Sequence, residues 1–165
     1  MANQLMTAYM RKLQSLCCGE LQLLAFLGDV AEQVSDFKFG SSVHGLQRLC
    51  GERKDSLEMM AADHGFVGME DDGDGMSRLV TEGRHELRHC ARGRSRDVVI
   101  ADICTPLHHF LLRNYRLARE LAGRLGLDED AARLADLMDL VEERFPPALD
   151  RPVRRTAFAR PALAV

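Results

Sequence analysis

The stretch MTAYMRKLQSLCCGELQLLAFLGDVAEQV, residues 6–34, decides the fold, because its apolar residues recur at alternating steps of four and three. That spacing lines one face of a helix packed in a bundle. The ladder consists of Met6, Met10, Leu13, Cys17, Glu20, Leu24, Leu27, Ala31 and Val34. Glu20 is its one charged member, so the pattern directs a carboxylate into the protein core.

A carboxylate in the core must be neutralised, paired or bound to a metal, because an isolated buried charge costs several kcal/mol. The second predicted helix offers a partner. Its inward ladder of Leu46, Cys50, Arg53, Leu57 and Met60 includes an arginine. In an antiparallel hairpin Arg53 would lie at about the height of Glu20, which predicts a buried ion pair. A metal ion is the alternative partner.

Composition limits the classes of function. The 165 residues fit one domain, and the net charge of −3 is interspersed, which disfavours a nucleic-acid partner. No apolar run approaches the ~18 residues of a membrane span, and no signal peptide is recognisable. The five cysteines form no C-x-x-C pair and fit small core residues in a reducing compartment. We therefore expect a cytoplasmic protein without a membrane partner.

The whole chain is predicted to be all-α, because β-branched residues are few and no segment alternates with period two for long. We expect four long helices and a shorter third one, at about 3–34, 42–65, 76–89, 95–125 and 128–147. Ser41 or Ser42 is the expected N-cap of the second helix, and Ser95 that of the fourth. Residues 1–147 are predicted to form the helical domain and residues 148–165 a mobile C-terminal tail.

Several short motifs resemble the YciE/YciF group of ferritin-like bacterial proteins. Gly19-Glu20-Leu21-Gln22-Leu23-Leu24 is similar to the Ala-Glu-x-Gln-Leu-Leu signature of that family's first helix. The stretches at 95–100 and 121–126 resemble the beginning and end of its fourth helix, and Tyr115 falls where the family has a tyrosine. The resemblance covers about residues 9–143. It implies a ferritin-like antiparallel four-helix bundle with one additional short helix.

The resemblance also implies a pair of metal ions held by carboxylates and histidines from four helices. Where the family has Glu-His-Tyr-Glu, this chain has His108-His109-Phe110-Leu111, so both glutamates are missing and His109 is kept. Only Glu20 carries over plainly. The fifth helix offers Asp139 or Glu142 where the family has a run of glutamates. The candidate ligands for iron or zinc are Glu20, Cys50, His108, His109, Asp139 and Glu142.

No other motif points to an enzyme. The chain lacks a phosphate-binding glycine loop and a nucleophile elbow. His85 and His89 have the i, i+4 spacing of a helical metal chelate, although solvated histidines are the commoner explanation of such a pair.

We therefore expect a non-enzymatic structural or interaction protein with a degenerate metal site and no cofactor. The alternative is an iron- or zinc-binding ferritin-like protein with residual oxidase activity, and the resemblance suggests a link to stress response. A homodimer is also expected. Its basis is a second apolar ladder on the first helix, which offers more apolar surface than one core needs. That second ladder consists of Tyr9, Leu16, Leu23 and Val30.

Overall fold

The computed structural model of the protein describes residues 1–66 and 75–148, with Ala2 and residues 143–148 as backbone only. The helices are α1 (Ala2–Ala31), α2 (Phe37–Asp63), α3 (Gly75–Arg88), α4 (Arg94–Arg124) and α5 (Asp128–Ala148). No strand occurs in these two ranges, so the predicted all-α class is confirmed. The predicted tail lies outside the described residues, except for Ala148 at the end of α5.

The centre of α1 is more deeply buried than its spacing alone suggested. The buried positions include a seven-residue repeat, Tyr9, Leu13, Leu16, Glu20, Leu23, Leu27 and Val30, with Cys17 and Phe26 buried beside it. The second ladder therefore lies inside the single chain rather than on a free surface. Because this ladder is buried within one chain, it no longer supports a homodimer. The homodimer stays a prediction.

The helix contacts place α1 and α4 at the centre of the structure. The pairs in contact are α1 with α2, α1 with α4, α4 with α5, and α2 with α5, while α3 packs against α1 and α4. α1 and α4 are antiparallel, because Lys12 bonds to Asn114 near one end while Ser35, just past α1, bonds to Asp97 near the other. α1, which carries Glu20, thus packs against three other helices.

Two predicted helix starts are wrong by a few residues. The N-cap of α2 is Asp36, whose carboxylate accepts a hydrogen bond from the Phe39 backbone N–H at 2.8 Å, so Ser41 and Ser42 lie inside the helix. Gly93 is the N-cap of α4, and Ser95 is likewise helical. In both cases the chain enters the helix earlier than the first serine. Several residue types can cap the beginning of a helix, so apolar spacing alone does not determine the residue at which the helix starts.

The start of α4 fastens the turn between α1 and α2. The buried Asp97 carboxylate accepts bonds from the Ser35 backbone N–H at 3.0 Å, the Ser35 hydroxyl at 2.6 Å and the Asp36 backbone N–H at 3.0 Å. The neighbouring Arg96 donates to the backbone carbonyls of Leu87 and Cys90, both at 2.8 Å, at the end of α3. Adjacent residues of α4 thus hold both the hairpin and α3 in position.

α3 approaches α4 closely at Gly83. A Cβ added to this glycine would lie 2.4 Å from Ile103 Cγ2 and 3.2 Å from Ile103 Cγ1. Val80 and Leu87 are buried on the same side of α3. The absence of a side chain at Gly83 therefore sets the distance between the two helices. No helix in the described part of the chain is long and apolar enough to cross a membrane.

Gly83→Ala should destabilise the fold by about 1–3 kcal/mol, because the new methyl group would overlap the β-branched Ile103 and push α3 away from α4. Gly51→Ala is the matched control. It lies in the interior of α2, a Cβ there meets nothing within 4 Å, and alanine should add about 0.5–1 kcal/mol of stability. Urea denaturation monitored by circular dichroism measures both. A Gly83→Ala protein as stable as wild type would contradict the close approach.

Candidate functional site

The candidate site is the buried carboxylate of Glu20 and the groups around it. Glu20 is 0% exposed and Arg53 is 1% exposed. Arg53 Nε donates to Glu20 Oε1 at 2.7 Å, and Arg53 Nη2 donates to Glu20 Oε2 at 2.8 Å. The guanidinium therefore meets the carboxylate side-on through two parallel bonds, the geometry in which such a pair is strongest.

A third helix contributes Tyr115, which completes the surroundings of the carboxylate. Tyr115 Oη donates to Glu20 Oε1 at 2.8 Å, so this oxygen accepts two hydrogen bonds and Oε2 one. Arg53 Nη2 also lies 3.2 Å from Cys50 Sγ. Both carboxylate oxygens are thus engaged by side chains of α2 and α4, and the negative charge is balanced by Arg53, whose buried Nη1 has no hydrogen-bond partner among the described residues.

The buried network also holds its members in defined protonation states. Burial, followed by the negative charge of Glu20, raises the pKa of Tyr115 and the pKa of Cys50 well above their usual values. Burial lowers the pKa of Arg53, but the carboxylate of Glu20 outweighs it, so the net shift is upward. Tyr115 is therefore a neutral donor, Arg53 a cation and Cys50 a thiol. A protonated thiol is a poor nucleophile and a poor metal ligand.

The remaining predicted ligands do not gather around Glu20. His108 is buried on α4, whereas His109 and Asp139 are exposed. Glu142 is also exposed and accepts a bond from Arg116 at 2.9 Å on the outside of α4 and α5. Within the part of the chain that the structure describes, no group of three or more His, Cys, Asp or Glu side chains is arranged to hold a metal ion.

His108 is the second unusual titratable group near the centre. Burial is the main cause that lowers its pKa to about 4; His109 and Arg53 lower it further, and Glu142 opposes them. The imidazole is therefore neutral at pH 7. Folding holds it neutral at pH values where the unfolded chain would take up a proton.

Sequence reasoning missed a second polar cluster, which lies where α1 and α5 begin and α2 ends. Tyr9 Oη donates to Asp130 Oδ2 at 2.7 Å, and His64 Nε2 lies 2.6 Å from the same oxygen. The Tyr9 and His64 rings meet edge to face with centroids 5.8 Å apart. The cluster links α1, the residue after α2, and the first turn of α5. Tyr9 looked like an ordinary member of an apolar ladder, and Asp130 like a helix-start acid, so spacing offered no signal.

No family model, no curated protein and no solved structure matches the chain.

Removing one partner of the central pair should destabilise the protein by about 3–5 kcal/mol, because the other charge is left buried and uncompensated. We expect this of Glu20→Met and of Arg53→Met. The double variant Glu20→Met/Arg53→Met should be less destabilised than either single variant, since it removes both charges. Chemical denaturation of the four proteins gives the coupling energy. Additive losses in the double variant would show that the two side chains do not interact.

Acidification should reveal the buried His108. Its folded pKa lies below its unfolded value of 6.5, so the unfolded state binds more protons and stability falls as the pH drops from about 6.5 toward 4. The loss between pH 7 and pH 5 is about 2 kcal/mol. His108→Met should remove this part of the pH dependence, whereas His44→Gln, at an exposed histidine of α2 that does not shift the His108 pKa, should keep it. Unfolding free energies of the three proteins across this range measure the effect. Identical pH profiles for wild type and His108→Met would contradict the assignment.

Proposed function

We propose that this chain is a non-enzymatic structural or interaction protein, built as a ferritin-like four-helix bundle of α1, α2, α4 and α5 with α3 packed outside. The single observation that carries the proposal is the state of Glu20. Its two oxygens accept three hydrogen bonds from Arg53 and Tyr115 at 2.7–2.8 Å, and it has no exposed surface. The residue that the family resemblance would make a metal ligand is already neutralised by protein.

The pattern of helix contacts supports the ferritin-like arrangement. α1 contacts α2 and α4, and α5 contacts the same two helices, so these four close a ring, whereas α3 packs mainly against α1 and α4. In bundles of this type, facing helices build metal sites from inward carboxylates and histidines. Here inward positions near the middle of the helices hold Glu20, Cys50, Arg53, His108 and Tyr115, and one carboxylate is present among the five.

A di-metal centre does not fit these residues. Two divalent ions need several carboxylates to balance their charge, whereas the Glu20 carboxylate is balanced by the cation of Arg53. An ion at Glu20 would also have to displace the guanidinium and leave it buried without its partner, which costs several kcal/mol. We therefore assign the Glu20–Arg53 pair the structural place of the metal centre.

A structural or interaction protein would contact its partner through exposed side chains. The described residues expose two large apolar side chains on α2, Phe37 at 88% and Met59 at 67%. Single exposed apolar residues are common and identify no partner by themselves. The homodimer belongs to this proposal as the simplest interaction. Light scattering across micromolar concentrations decides between a dimer and a monomer.

The test compares metal bound by wild type with metal bound by Glu20→Gln. Untagged proteins are expressed with iron, manganese and zinc supplied, and their metal content is measured by plasma mass spectrometry. Glu52→Gln, at an exposed carboxylate of α2, is the matched control. We expect equal metal content in all three proteins, because Glu20 is occupied by Arg53.

A metal site at Glu20 would give a different result. Stoichiometric iron or zinc that is lost in Glu20→Gln and kept in Glu52→Gln would overturn the proposal in favour of the metal-binding alternative. Iron oxidation by the wild type would then be the next assay. Circular dichroism of Glu20→Gln establishes that it is folded. If it is not, the double variant Glu20→Met/Arg53→Met takes its place in the comparison.

A further inference from the structure

Two histidines lie side by side at the end of α3, on the opposite side of that helix from its packed face. His85 is in the last turn of α3, and His89 follows its final residue, Arg88. Both side chains are exposed, and their ring centroids are 5.0 Å apart with an interplanar angle of 69°. The buried residues Val80, Gly83 and Leu87 occupy the other face.

We propose that His85 and His89 form a two-histidine chelate for one divalent transition-metal ion. Imidazoles four residues apart on a helix project from one face, as the two histidine ligands of helical zinc sites do. His89 lies one residue past α3, and the contact between the two rings shows that it still lies beside His85. The rings already meet, so small side-chain rotations bring one nitrogen of each to a common ion. The remaining coordination positions are open to water or to a ligand from outside the chain.

The charges around the pair include both signs. Glu82 and Glu86 lie three residues before His85 and His89, so each carboxylate neighbours one imidazole on the helix surface. Of the arginines on α3, Arg78 bonds to Glu82 at 3.2 Å and Arg84 bonds to Asp29 at 2.5 Å. Arg88 is the charge that opposes a cation most directly. The C-terminal end of a helix attracts cations, and this attraction opposes the repulsion between Arg88 and a metal ion.

Metal binding here would also strengthen the attachment of α3. An ion that joins residues 85 and 89 closes the last turn of the helix. Hydrogen bonds already hold this end of α3 to the rest of the fold. Arg84 donates to Asp29, and Arg96 donates to the backbone carbonyls of Leu87 and Cys90. Since the ion binds the folded turn, saturating metal should raise the melting temperature. The order of affinity should be Cu²⁺ above Ni²⁺, with Zn²⁺ below Cu²⁺.

The experiment is calorimetric titration of untagged, chelator-treated protein with NiCl₂ and with ZnCl₂ at pH 7.5 in a non-coordinating buffer. The variants are His85→Gln and His89→Gln, both at exposed positions that leave the core intact. His44→Gln, at an exposed histidine on α2, is the matched control. We expect one ion per chain, an affinity about tenfold or more weaker in either α3 variant, and no change in the control.

Further measurements complete the test. Lowering the pH to 5 should release the ion from wild type, because protonated imidazole cannot bind metal. The inference fails if wild type binds neither ion, or if His85→Gln or His89→Gln binds like wild type. It also fails if His44→Gln loses binding to the same extent. Glu20→Gln should bind as wild type does, so this result stands or falls separately from the proposed function.

Discussion

The buried charge of Glu20 is the constraint on which the rest of the structure depends. A carboxylate with no exposed surface is tolerated only when its oxygens are satisfied, and here Arg53 and Tyr115 provide all of its bonds. These partners come from α2 and α4, so the three helices must keep one height and one rotation relative to one another. Apolar packing alone would allow several sliding registers, whereas a bidentate ion pair allows one.

Polar contacts also fix the alignment of the helices at both of their ends. At one end Asp97 holds the turn between α1 and α2 through Ser35 and Asp36. At the other end Asp130 receives Tyr9 and lies beside His64. Each cluster joins elements distant in sequence around one carboxylate. The apolar core supplies most of the stability, and the three carboxylates select the arrangement in which that core forms.

The sequence predicted the core of the site better than its surroundings. The ladder on α2 placed Arg53 inward, the family resemblance pointed to Tyr115, and both side chains are buried. The ladder chosen for α1 was rotated, because Tyr9 and Leu16 lie in the core that was assigned to Met6 and Leu24. The predicted ladder and the buried repeat share Leu13, Glu20 and Leu27, so periodicity could not choose between them. His109 and Asp139 were predicted as ligands from a resemblance to a metal-binding family, and both side chains are exposed to solvent.

The sequence by itself determined the all-helical class, the approximate helix spans and the presence of a charge in the core, because these depend on local spacing and composition. Only the tertiary structure decided what that charge meets. The Tyr115 hydroxyl that bonds to Glu20 is 95 residues away along the chain, and Asp130 is 121 residues from Tyr9. Contacts of this range depend on how helices are rotated and aligned against one another, and residue spacing within one helix does not specify either quantity.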